Sequence, residues 1–349
     1  MKDMKYAMAL TLPATAFFGL LMLGYWTFTT PIYAFVLVPL LEMILPVDPS
    51  NYGPEERRTK ERKKVFDWML YSNIPVVFGL LALLLHRTTT DALSLHECIG
   101  IVLSVGIVLG TNGINVAHEL GHRKEMYHRV LAKILLLPSH YMHFYIEHNY
   151  GHHAHAATPE DPATARINQT VYSFWITSIV RQYGNAWRIQ MRLLRKDKQG
   201  FFNIKNDMLW YTLVQAGYLC GMLFLFGPFT FFMALLAGLV GILMLETVNY
   251  IEHYGLMRHK LASGRYERVG EVHSWNSNHV MGRIMLFELT RHSDHHYKAS
   301  KKYQVLEYHD QSPQMPFGYP TSMVISFFPP LWFAIMNPRI PNGMHATPS

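Results

Sequence analysis

Nine histidines stand at spacings that bring imidazoles together: His118 and His122; His148, His152 and His153; His253; and His292, His295 and His296. They lie in four short polar boxes. These read His118-Glu119-Leu120-Gly121-His122, Glu147-His148-Asn149-Tyr150-Gly151-His152-His153, Asn249-Tyr250-Ile251-Glu252-His253-Tyr254-Gly255 and Arg291-His292-Ser293-Asp294-His295-His296. Residues three or four apart share one face of a helix, so a box can aim two or three ring nitrogens at one point. Neutral imidazole binds iron, copper, zinc and nickel. Nine such ligands exceed what one ion needs, and the pattern predicts a two-metal centre.

A metal-bound histidine almost always donates its other ring N–H to a carboxylate or carbonyl. Glu119, Glu147, Glu252 and Asp294 each lie beside a ligand candidate. Glu246 and Asn249 precede His253 at helical spacing, and Glu246 interrupts an apolar run, where an acid is costly and usually functional. These six are the expected outer partners of the ligands. The alternatives are direct coordination by a carboxylate, as in soluble di-iron bundles, and, for Glu246, a bond to a neighbouring helix. Taken alone, His118-Glu119-x-x-His122 also fits a zinc metalloprotease with Glu119 as general base. That reading needs a third ligand and one zinc, and leaves six box histidines without a role. A metal transporter is a further rival, but transporter sites usually lie near mid-membrane. His86, His96, His128, His140, His143, His155, His259, His273, His279, His309 and His345 read as surface, interfacial or hydrogen-bonding residues.

The elements that must position the boxes are apolar. Half of the 349 residues are hydrophobic and only 16% are charged, in runs that fit membrane helices of roughly 20 residues. Six spans are expected, at about 6–27, 31–45, 68–86, 95–117, 208–226 and 229–250, with Thr29-Thr30-Pro31 and Gly227-Pro228 as tight connections. Ala14-Thr15-Ala16 resembles a signal-peptidase site, but the apolar sequence runs on past it. The segment 55–64 carries six basic residues between spans; the positive-inside rule places it in the cytoplasm, either touching anionic lipid or as a solvated loop without a partner, and not as a nucleic-acid site. Counting crossings from there puts all four boxes on the cytoplasmic side. The expectation is an all-α, six-helix integral membrane bundle, one domain over 1–349, with a cytoplasmic helical cap from 118–207 and 251–349. Within the cap, 130–138 is too short to span and 171–195 reads as an amphipathic interfacial helix. The proline- and aromatic-rich tail 313–340 should wrap or dip into the interface. Cys98 and Cys220 are the only cysteines; they make neither a Cys-x-x-Cys pair nor an iron–sulfur site, so electrons for redox chemistry must come from another protein.

The boxes His-Glu-Leu-Gly-His-Arg (118–123), Glu-His-Asn-Tyr-Gly-His-His (147–153), Asn-Tyr-Ile-Glu-His-Tyr-Gly-Leu (249–256) and Leu-Thr-Arg-His-Ser-Asp-His-His (289–296) closely resemble those of the membrane alkane 1-monooxygenases, the AlkB family. The first, second and fourth boxes also recur among membrane desaturases and hydroxylases; the third is the one specific to alkane hydroxylases. Thr290, where glutamine is expected, is a small departure. The resemblance implies a non-haem centre of two iron ions, held by the nine box histidines, that inserts one atom of O₂ into a terminal methyl group of an n-alkane drawn from the bilayer. It implies electrons from NADH through a reductase and rubredoxin, a small acidic iron protein, in a bacterial inner membrane. A fatty-acid desaturase or hydroxylase with the same metal chemistry is the nearest alternative.

Overall fold

The computed structural model describes residues 2–344, so His345 lies outside the described residues. The chain is all-α: among the described residues there is no strand, only isolated backbone bridges such as Val47 with His279. Five helical stretches are long and apolar enough to cross a membrane: Asp3–Met22, Gly24–Ile44, Val65–Thr90, Leu95–Gly121 and Asp207–His253. The last has 47 residues, about 70 Å of helix and enough for two crossings. It is interrupted at Gly227, whose φ of 85° and ψ of 170° are not helical, immediately before Pro228. The expected fifth and sixth spans, 208–226 and 229–250, thus fall within one helical stretch broken at the expected Gly-Pro pair.

The second span differs from expectation. It begins at Gly24, not at Pro31, because the turn is made by Leu23 and Gly24, both at positive φ (56° and 57°). Pro31 stays inside the helical stretch. A proline has no N–H, so the carbonyl four residues back loses its partner. Here that carbonyl belongs to Thr27, and the Ser104 hydroxyl donates to it at 2.6 Å. A side chain from another span thus makes the proline tolerable.

The chain divides into two compact units, each assembled from separated segments. The first contains residues 2–37, 64–146 and 185–245. Ser94 and Glu97 cap the helix that leads to the first histidine box, each bonding the other's end of the first turn. Glu97 also accepts from Gly24 N–H at 2.8 Å, which pins the Leu23–Gly24 turn. This helix and the Asp207–His253 stretch approach through missing side chains. A Cβ on Gly106 would lie 2.4 Å from Val240 Cβ, and one on Gly110 2.7 Å from Met244 Cβ. Small residues four apart let membrane helices come into backbone contact. Buried amides add a polar lock: Asn112 donates to Asn73 at 2.8 Å and to Ala9 O at 3.2 Å. The segment 130–138 falls within the helix Met126–Leu136 and the short turn Leu137–Ser139.

The second unit contains 38–63, 147–184 and 246–344. The amphipathic stretch is the helix Val171–Lys196, whose first half lies in this unit. The tail forms two short helices, Tyr319–Ser326 and Pro329–Met336. Glu42 is buried against them: it accepts from Gly282 N–H and from the Thr321 hydroxyl. A Cβ on Gly318 would fall 2.1 Å from the Glu42 carboxyl atoms, so a larger residue there would force that carboxylate to shift.

Candidate metal centre

In the first unit, His118 and His122 end the Leu95–Gly121 helix one turn apart, with ring centroids 4.9 Å from each other. Glu119 does not turn towards them for its short contact: Arg123 binds it at 2.6 Å, and Arg123 also lies 3.5 Å from Asp67. Six residues upstream of Asn115 the helix adopts a π-turn, Leu109–Ile114, a deviation frequent near functional sites.

The second box contains its own π-turn, His148–His152. In a regular α-helix, residues 148 and 153 would point about 140° apart. The i→i+5 closure of a π-turn brings residue 153 back over residue 148. Accordingly the Nε2 atoms of His148 and His153 are 3.0 Å apart. His295 faces the same point, its ring 5.0 Å from that of His153 and 6.2 Å from that of His148.

The remaining four imidazoles of the second unit converge more tightly. His152 Nε2 lies 3.2 Å from His296 Nε2, His296 Nε2 2.9 Å from His292 Nε2, and His292 Nε2 3.1 Å from His253 Nε2. All four are buried. A ring nitrogen offers one in-plane site, either one proton or one lone pair. His296 and His292 each meet two neighbours, so the three contacts cannot all be hydrogen bonds. Lone pairs aimed at one cation resolve the conflict. Nitrogens about 2.1 Å from an ion lie about 3.0 Å apart at right angles and about 3.4 Å apart in a tetrahedron. The observed separations of 2.9–3.2 Å are those of ligands to one ion, so the residues fit a metal. Burial, then the neighbouring imidazoles, hold His296 well below the ordinary histidine pKa, leaving its lone pair free.

Three members of this group, His152, His253 and His292, face a partner from behind. Asp161 accepts from His152 Nδ1 at 2.9 Å. The same carboxylate accepts from the Thr164 hydroxyl at 2.6 Å and from Ala163 N–H at 3.0 Å, so it cannot swing away. Burial alone would depress His152, but the charge and hydrogen bond of Asp161 outweigh it and leave the histidine above its ordinary value. Burial likewise opposes ionisation of Asp161, and His152 more than compensates. Glu252 lies 3.2 Å from His292 Nδ1. His253 Nδ1 faces the His273 carbonyl at 3.4 Å. Arg291 fixes the start of the fourth box by donating to Leu306 O and Ser50 O, both at 2.8 Å.

The expected outer partners thus divide. Glu252 stands behind a ligand candidate. Glu246 is buried, but its carboxylate is bonded by Ser178 at 2.7 Å and Gln182 at 3.0 Å, the neighbouring-helix alternative. Asp294 is engaged by Lys301 at 2.7 Å, His309 at 2.8 Å and Glu307 N–H at 2.9 Å, locking the fourth box to the segment that follows it. Glu147 and Asn249 are buried on the helical segments that carry the boxes. Asp161 and Thr164 were not among the expected residues. Their signal is an acid between prolines, Pro159-Glu160-Asp161-Pro162, a few residues past the second box. Of the other histidines, His128 bonds Tyr71 and Glu125, His309 bonds Asp294 and Glu271, and His96 stacks on Tyr25.

A family model described as fatty acid desaturase matches residues 95–321, a segment containing all four boxes. Alkane 1-monooxygenase 1 of Pseudomonas aeruginosa is 38% identical over 324 residues, 91% of this chain and 84% of that protein. Alkane 1-monooxygenase 2 of the same organism is 37% identical, over 90% and 84%. Alkane 1-monooxygenase 1 of Alcanivorax borkumensis is 36% identical, over 95% and 83%.

Proposed function

Since the chain belongs to the membrane alkane 1-monooxygenases, within the desaturase-like superfamily, we propose that it hydroxylates the terminal methyl group of medium- and long-chain n-alkanes. The reaction balances as RH + O₂ + 2e⁻ + 2H⁺ → ROH + H₂O. The observation that carries this reading is the convergence of His152, His253, His292 and His296, in a chain of this family, on a point suited to a metal ion.

We assign the nine box histidines, His118, His122, His148, His152, His153, His253, His292, His295 and His296, as ligands of two irons. Bound there, the irons would supply the reductive activation of O₂ that an unactivated C–H bond requires. The chain's own residues do the rest. Asp161 and Glu252 hold His152 and His292 with Nδ1 protonated and Nε2 turned inward. Burial of the four-histidine group keeps bulk water from it. Apolar spans admit the alkane from the bilayer, and a narrow path in which only the chain end reaches the ligands gives terminal selectivity by shape. With two free cysteines the chain offers no thiolate iron–sulfur site of its own, so the electrons come from another protein, for which the family resemblance implies rubredoxin with an NADH-dependent reductase. The whole chain acts as one domain in a bacterial inner membrane with the boxes facing the cytoplasm, a reading supported by the basic segment 55–64.

The test is metal analysis of the detergent-solubilised chain, then turnover. About two irons per chain with little zinc, and 1-alkanol formed from n-alkane in the presence of rubredoxin and reductase, are the expected results. About one zinc and no iron would overturn the reading. The desaturase description of the matching family model favours one alternative substrate, a fatty acyl chain; a carbon–carbon double bond in the product would select it.

A further inference from the structure

Between residues 181 and 205 the chain carries seven basic side chains, Arg181, Arg188, Arg192, Arg195, Lys196, Lys198 and Lys205, against one acid, Asp197. The protein's net charge is only +7, so this segment supplies most of it. Arg188, Arg192 and Arg195 recur at i, i+4 and i+7 on the helix Val171–Lys196, which puts them on one stripe. All three are exposed, as are Lys196 and Lys198, and among the described residues none of the five has an ion-pair partner. The lone acid, Asp197, is taken by Lys205 at 3.2 Å.

The stripe runs into a loop with apolar tips. Phe202 is 91% exposed and Ile204 80% exposed. The tips are held out rather than left loose. Trp210 donates to Ile204 O at 3.0 Å, Asn206 donates to Phe201 O at 2.9 Å, and Trp187 stacks on Phe201. Three residues past Ile204 the apolar stretch Asp207–His253 begins, so a bilayer crossed by that helix lies within a few residues of the tips.

We propose that this stripe and loop bind anionic phospholipid in the bilayer. Arg188, Arg192, Arg195 and Lys196 take headgroup phosphates, and Phe202 and Ile204 insert among the adjoining acyl chains. Basic residues near an anionic leaflet attract it, and an apolar edge beside them is what an interfacial element buries. The exposed apolar tips, three residues from a membrane-spanning stretch, favour lipid over an acidic soluble protein, because the bilayer's acyl chains lie beside them.

The full chain is reconstituted in nanodiscs of equal phosphatidylcholine and phosphatidylglycerol, and the lipids it retains on release are counted by native mass spectrometry. Wild type is expected to retain phosphatidylglycerol preferentially. The preference should shrink when salt rises from about 0.1 M to about 1 M, which shortens the Debye length from about 10 Å to about 3 Å. Each of Arg188→Gln, Arg192→Gln and Arg195→Gln should lower it about fivefold. Phe202→Ser with Ile204→Ser should reduce retention of both lipids, and unchanged retention would overturn the insertion. No preference in wild type, or a full preference in the triple glutamine variant, would overturn the proposal. So would loss of the preference on adding inorganic phosphate, which would mark a free-anion site. A triple variant that loses only its affinity for an acidic electron carrier would reassign the surface to that carrier.

Discussion

Two places bring elements together by opposite means. In the first unit, the Leu95–Gly121 helix meets the Asp207–His253 stretch where Gly106 and Gly110 have no side chains to separate them. In the second unit, four imidazoles converge with Asp161 and Glu252 behind them. The first contact is complete with protein atoms alone. The second leaves ring nitrogens facing each other with more contacts than protons can serve. The difference teaches that one unit's packing is self-sufficient, whereas the other's gathers ring nitrogens that could hold a cation.

The sharpest way to break that comparison is to remove a ligand. His292→Ala or His153→Ala should abolish hydroxylation, a loss beyond the roughly 100-fold that removing an outer partner causes, while detergent extraction and helical content stay as in wild type. Full activity in either variant would strike that residue from the ligand set. Stripping the metal with a chelator comes next. Hydrogen exchange should rise at 249–255 and 291–297 and stay unchanged at 100–114; equal loosening of both would erase the contrast. Asp161→Asn keeps the shape and removes the charge behind His152. Metal affinity is expected to fall about 10- to 100-fold, read as iron retained on dialysis, and Asp161→Glu should recover only part of it. On the other side of the comparison, Gly110→Val overpacks the apolar contact and should cost about 1–3 kcal/mol of stability without changing metal content. The smallest expected effect is Ser104→Ala, which leaves the Thr27 carbonyl beside Pro31 unsatisfied, about 1–3 kcal/mol at most, measured as a lower thermal midpoint.

The histidine boxes were legible because polar residues at helical spacing stand out in an apolar chain, and the Gly227-Pro228 break because those two residues stop helices by their own chemistry. The start of the second span was not. Thr29-Thr30-Pro31 reads as a turn until Ser104, 77 residues away, is known to satisfy the carbonyl that proline orphans. Glu246 shared a helical face with His253 in the sequence, yet its carboxylate reaches sideways to Ser178 and Gln182. Asp161 was invisible for the converse reason: it is nine residues from His152, and a loop bounded by prolines gives no periodicity from which to infer contact. Neighbourhood along the chain marked Glu252 but not Asp161.

The π-turn at His148–His152 gives the second box an unusual vulnerability. Its geometry depends on the number of residues between the histidines as much as on the histidines themselves. Inserting one residue after His148 would put His148 and His153 six apart, about 120° around a regular α-helix. Insertions and deletions, which membrane helices otherwise absorb at their ends, are therefore a separate route to inactivation here. A descendant of this chain could preserve all nine imidazoles and still lose the centre through the gain of one residue between them.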